Sequence, residues 1–172
     1  SAGYGARKGE AMLGIHDPLF ASALFLENGE KQIFLCSVDH LGFPYKMTQD
    51  IVAKIHKHPE LSQSEIYITS SHTHSGGGAY LDIPNLGEAL AGSYDPKMVE
   101  YYVQKTTEAL ISAYDHRIPA KIGIGYGKAP SLHVYRALWP QGIIPPSDVS
   151  VIKITTLDGT PLAAIFNYAI HP

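Results

Sequence analysis

Residues 65–78 read Glu65-Ile66-Tyr67-Ile68-Thr69-Ser70-Ser71-His72-Thr73-His74-Ser75-Gly76-Gly77-Gly78. The first six alternate and are β-prone, which predicts a short strand. The strand then runs into two histidines separated by one residue, followed by three glycines. In an extended segment residues i and i+2 point to the same side, so His72 and His74 can face one centre. Neutral imidazole is a good zinc ligand, and a catalytic zinc takes three protein ligands while keeping a position for water. A His-x-His pair is a weak signal in a chain with 9 histidines, and a structural role for both rings is the competing reading. The glycines strengthen the metal reading, because they let backbone approach a ligand closely.

Upstream, residues 20–26 and 32–39 are apolar and β-prone around Asn28-Gly29, a hairpin signal. Pro44 suits a helix start. Met47, Ile51, Val52 and Ile55 follow at helical spacing, with Pro59 beyond them. Downstream, residues 77–94 read as a long loop, a kind of segment that is often functional. Asp95 and Pro96 fit the cap and first position of a second helix, whose stripe is Val99, Tyr102, Val103, Thr106, Leu110 and Ala113. Residues 121–128 alternate as a strand. Gly123-Ile124-Gly125-Tyr126-Gly127-Lys128 lacks the spacing and the following helix of a phosphate loop. Residues 129–147 form another long loop. Residues 149–156 and 162–170 make a last strand pair around Asp158-Gly159. This order predicts an α/β or α+β fold: a mixed sheet of about six strands with helices packed on it, two hairpins and long active-site loops.

The 172 residues suit one domain or part of a larger one. Thirteen Lys and Arg against 16 Asp and Glu give a net charge of −3, with 45% hydrophobic residues. That balance excludes a disordered chain and gives no reason to expect nucleic acid as a partner. No apolar run approaches the roughly 18–20 residues of a membrane helix. Cys36 is the single cysteine, so no disulfide forms within the chain. Residues 1–14 are Gly-rich and lack the apolar core of a signal peptide, although a removed signal would leave the same picture. His171-Pro172 follows directly on a strand that reads as central. The sequence is therefore expected to be the N-terminal piece of a longer polypeptide.

Three predicted strands end in ligand-type residues: Asp39-His40, His72-Thr73-His74 and His171. Ligands of open α/β sheets gather beyond such ends. His40 reads as a polar strand-end residue. Asp39 is a candidate to cap the Pro44 helix or to bond a histidine. His56 and His58 near a helix C-terminus read as structural or solvated. His16 precedes an Asp-Pro turn, and His116 and His133 have no evident partner. Arg136, in Tyr135-Arg136-Ala137-Leu138-Trp139, can bind a carboxylate or steady an oxyanion, or simply stack on Trp139.

Ser71-His72-Thr73-His74-Ser75-Gly76 resembles the His-Thr-His-Ser-Gly-Pro-Gly-Gly motif of the neutral/alkaline non-lysosomal ceramidase family. Gly3-Tyr4, Gly14-Ile15-His16, Ser37-Val38-Asp39 and the segment 166–171 resemble further family segments in the right order. The resemblance covers most of the chain. It implies a zinc-dependent amidohydrolase acting on linear amide C–N bonds, with ceramide or another N-acyl amide as lipid substrate and peripheral membrane contact as an option. It implies that His72 and His171 bind Zn2+, that His74 stabilises the oxyanion, and that Arg136 is the active-site arginine. It places a glutamate, a tyrosine and a serine of the site downstream of His171, so residues 1–172 would hold about half the metal site and be weak or inactive alone. A secreted or periplasmic setting rests on the resemblance only. Two features depart from the family pattern: Gly77 replaces the motif's proline or shifts it, and Tyr135-Arg136-Ala137 stands where the family has Asn-Arg-Ser. Leu81, Ile83, Leu86, Leu138, Trp139 and Ile143 are candidates to line an acyl channel, or else to pack the loops onto the sheet. The competing functions are a related zinc hydrolase acting on another amide or ester, and a non-catalytic ligand-binding module.

Overall fold

The computed structural model describes residues 2–132 and 146–171. They form two compact units, one running to Arg117 and the other Ile118–His171. No helix among the described residues is long and apolar enough to cross a membrane.

In the first unit, β1 (Ala21–Glu27) and β2 (Gln32–Val38) pair antiparallel, from Ala21↔Val38 to Glu27↔Gln32. The connection is longer than a two-residue Asn-Gly turn. Gly29 takes the left-handed φ of 87°, and the Asn28 side chain accepts the Lys31 N–H at 3.1 Å. That side-chain bond mimics a backbone turn and absorbs the extra residues. β3 (Glu65–Ser70) lies parallel to β2, from Ile33↔Glu65 to Val38↔Ser70. Parallel neighbours need a crossover, and α1 (Tyr45–Ile55) lies within it.

The middle strand, β2, buries Phe34, Cys36 and Val38 at every second position. Burial pushes the Cys36 thiol up to about 12, so it behaves as a small apolar side chain. In the same core cluster α1 buries Met47, Ile51 and Ile55. The long helix α3 (Pro96–Asp115) buries Val103, Thr106, Leu110 and Tyr114 and packs on β1 and α1. Its start matches the sequence expectation: Asp95 accepts the Lys97 N–H at 2.9 Å, and Pro96 occupies the first turn. Phe25 joins the two layers, with ring centroids 4.8 Å from Phe34 and 5.2 Å from Tyr114. The loop expected over residues 77–94 contains a five-residue helix, α2 (Gly87–Ala91).

The second unit is an antiparallel meander of β4 (Ala120–Lys128), β5 (Asp148–Thr156) and β6 (Pro161–Tyr168). Its β5–β6 turn is the expected hairpin. Gly159 has φ 100°, and the Thr156 N–H donates to the Thr160 carbonyl at 2.9 Å. The glycine-alternating run is β4, as its spacing predicts. Gly123, Gly125 and Gly127 face Lys153, Val151 and Val149 across the ladder.

The described architecture is α+β. Its strands divide into two three-stranded sheets, order β1-β2-β3 and β4-β5-β6, where the sequence suggested one larger sheet. Hairpin turns are written locally, but nothing in a strand's own residues says which distant edge it joins.

Leu110 is fully buried in the core of the first unit. Leu110→Ala is expected to destabilise the fold by about 2–5 kcal/mol through lost burial and a residual cavity. Urea unfolding should show a lower midpoint with an unchanged slope.

Candidate functional site

Because Val38 pairs with Ser70, β2 and β3 release their chains at the same end of the sheet. The Ser71 N–H still donates to the Val38 carbonyl at 3.0 Å. Beyond that point Asp39-His40-Leu41 and Ser71–Gly78 run as neighbouring segments. The expected extended geometry of the second segment is not what forms, because His72 has a left-handed φ of 58°. For a residue with a Cβ this conformation costs roughly 1–2 kcal/mol. A hydrogen bond between His72 Nδ1 and the Leu41 carbonyl holds it there. His72 and His74 nevertheless meet, with ring centroids 5.1 Å apart and planes at 84°.

A carbonyl only accepts, so Nδ1 of His72 carries a proton, and in the neutral imidazole the lone pair is on Nε2. That is how a metal-binding histidine is commonly oriented, one nitrogen fixed by a carbonyl and the other presented as ligand. The donor chemistry of His72 therefore fits a zinc ion.

The N-terminal segment covers His74. Tyr4 packs edge-on against it at 5.1 Å. Gly3 has φ 114°, and a Cβ there would come within 2.7–2.8 Å of His74. The Gly3 N–H donates to the Leu90 carbonyl at 2.8 Å, and the Ala2 N–H to the Gly76 carbonyl at 3.3 Å. Gly3-Tyr4 thus belongs to the site, a role its irregular surroundings in the sequence conceal. On the other side of the loop, a Cβ at Gly77 would lie 2.2 Å from the Tyr102 hydroxyl. That hydroxyl donates to the Gly78 carbonyl at 3.2 Å. Burial, then the neighbouring Tyr80 and Tyr101, push the Tyr102 phenol up to about 12, so it stays a neutral donor.

His40 is not the polar strand-end residue its position suggested. It is 4% exposed, with its ring edge-on to Tyr102 at 4.4 Å and to Tyr80 at 4.7 Å. Burial lowers its pKa to about 4, against a smaller upward pull from Asp39. Asp39 neither caps α1 nor bonds a histidine among the described contacts. Its carboxylate accepts the Phe20 N–H at 3.0 Å, tying the start of β1 to the end of β2.

A crevice of about 1310 Å³ opens beside His40, Thr73 and Ser75, between residues 10–20 and α3. Met12, Leu13, Ile15 and Phe20 bring apolar surface to one wall, and Met98 and Tyr101 to the other. The sequence gives this segment no periodicity, so the wall was not legible there. Leu81 and Ile83 line a smaller cleft of about 470 Å³ with Phe43 and Val99, and Leu81 also packs on the core. Leu86 is largely exposed.

His171 follows β6 in the second unit and is exposed. Arg136, His133, Leu138, Trp139 and Ile143 lie outside the described residues. His16 is exposed and pairs with Asp17 at 2.8 Å on the crevice wall. His56 bonds the Ser64 carbonyl at 3.0 Å and His116 the Ser112 carbonyl at 2.9 Å, both structural. His58 packs edge-on against Tyr114 at 5.6 Å.

A strand end bearing a His-x-His pair with one tautomer fixed defines a candidate metal-binding site on an α+β scaffold. Residues 1–171 match the family described as neutral/alkaline non-lysosomal ceramidase, N-terminal, and the chain belongs to that family. A solved structure described as a ceramidase complexed with C2 is similar with a TM-score of 0.86 and 19% identity, over 99% of this chain and 28% of that one. Neutral ceramidase from Pseudomonas aeruginosa gives 0.79 and 20% identity, over 99% and 29%. At these identities the likeness is one of fold. The chain spans 28–29% of the length of those two proteins.

The buried His40 carries a pH signature. Its imidazole titrates near 4 in the fold and near the ordinary 6.5 when unfolded. Between those values the unfolded chain binds one more proton, so stability falls as pH drops through the window and is flat above it. From about pH 7.5 to about pH 5, wild type should lose about 2 kcal/mol relative to His40→Phe. Denaturant unfolding of both proteins across that range measures the difference.

Proposed function

We propose that this chain is the N-terminal part of the catalytic domain of a zinc-dependent amidohydrolase that cleaves the N-acyl amide of ceramide to sphingosine and fatty acid. The observation that carries this reading is the His-Thr-His-Ser-Gly segment at the end of β3, with the His72 tautomer fixed by Leu41, in a member of this family. The similar protein complexed with C2 is itself a ceramidase, which favours a lipid amide as substrate class.

His72, through Nε2, and His171 would hold the zinc, with further ligands supplied downstream in the same polypeptide. When bound, zinc supplies an ionised water at neutral pH and polarises the amide carbonyl. His74 stands beside His72 under the Tyr4 ring, and its task is to donate to the oxygen that gains charge. Arg136 supplies a second positive group for that oxygen. The crevice beside Thr73 and Ser75 offers its apolar wall to an acyl chain.

The test uses the complete polypeptide. Metal analysis should find one zinc in wild type. His72→Ala and His171→Ala should each weaken zinc binding by more than about 100-fold, the upper range for residues that only support a ligand. His74→Ala should keep the zinc and lose about 10²–10³ in kcat. Retention of zinc in both ligand variants would sink the reading. Hydrolysis of short N-acyl amides with none of ceramide would move it to another substrate.

A further inference from the structure

We infer that His40 is a positioning residue for His72, acting through the Leu41 carbonyl. The inference rests on the proposed role of His72 as a metal ligand and adds what aims it.

The Leu41 carbonyl accepts from His72 Nδ1, so the direction of His72 depends on where that carbonyl points. The peptide around it is held on both sides. Before it, the His40 N–H donates to the Val38 carbonyl at 2.8 Å, which binds the segment to the last residue of β2. After it, the Gly42 N–H donates to the Tyr80 hydroxyl at 3.4 Å. Between these points the His40 ring is wedged between Tyr80 and Tyr102, with Phe43 at 6.0 Å. A buried wedge of this sort gives the following residue little freedom to rotate.

The same wedge also reaches the loop that follows His74. Tyr102 carries His40 on its ring and the Gly78 carbonyl on its hydroxyl. Gly77 has no Cβ, and the Tyr102 hydroxyl occupies the space a Cβ there would need. One aromatic stack thereby fixes both the acceptor of His72 Nδ1 and the chain that leaves His74. Small shifts at such a supporting group change metal affinity by about 10–100-fold in other metal sites.

The experiment measures zinc affinity of the complete polypeptide by chelator competition, and the visible absorption of its Co2+ form. His40→Ala removes the wedge and should weaken zinc binding at least about tenfold and shift the Co2+ bands. His40→Phe restores the ring and should return both to within about threefold of wild type. If His40→Ala unfolds as cooperatively as wild type, yet binds zinc equally and leaves the bands unmoved, the inference is overturned. If His40→Ala does not fold, His40→Leu decides. It fills the space without a planar ring between Tyr80 and Tyr102, and it should weaken zinc binding and shift the bands; unchanged values would overturn the inference. His72→Ala serves as the control for the underlying reading. Zinc retained in that variant means His72 is no ligand, which is a different failure from an inert His40.

Discussion

The parallel pairing of β2 with β3 is the constraint on which the site depends. It places Val38 opposite Ser70, so two chains leave the sheet side by side. One carries Asp39, His40 and Leu41, and the other carries His72 and His74. A hairpin would have sent its second strand away from that end. The crossover containing α1 makes the parallel arrangement possible, and burial of Met47, Ile51 and Ile55 in the core holds α1 in place. Burial of apolar area thus sets where the polar residues emerge.

Local chemistry was legible in the sequence. The Asp95-Pro96 cap, the α1 and α3 stripes and the Asp158-Gly159 turn each depend on neighbours within a few residues, and each stands as expected. Features set by distant contacts were not. The left-handed turn at His72 depends on Leu41, 31 residues away. The burial of His40 depends on tyrosines from the long loop and from α3. The part of Gly3-Tyr4 in covering His74 depends on a contact across most of the first unit. For the same reason the division of the strands into two sheets could not be read from alternation alone.

Membership of the ceramidase family and a fold shared at 19–20% identity fit a scaffold whose specification is spread over many apolar positions. Cores accept extensive substitution when volume and pattern are kept. The strand-end segments are less tolerant, since they combine a left-handed histidine, a glycine against an imidazole and a tyrosine against a glycine.

That last contact ties two positions together. Gly77 has no side chain, and the Tyr102 hydroxyl occupies the space a Cβ there would need. A residue larger than glycine at 77 would oblige that hydroxyl to shift, and with it the hydrogen bond to the Gly78 carbonyl. The freedom of the loop to vary is therefore set by the reach of a tyrosine on α3.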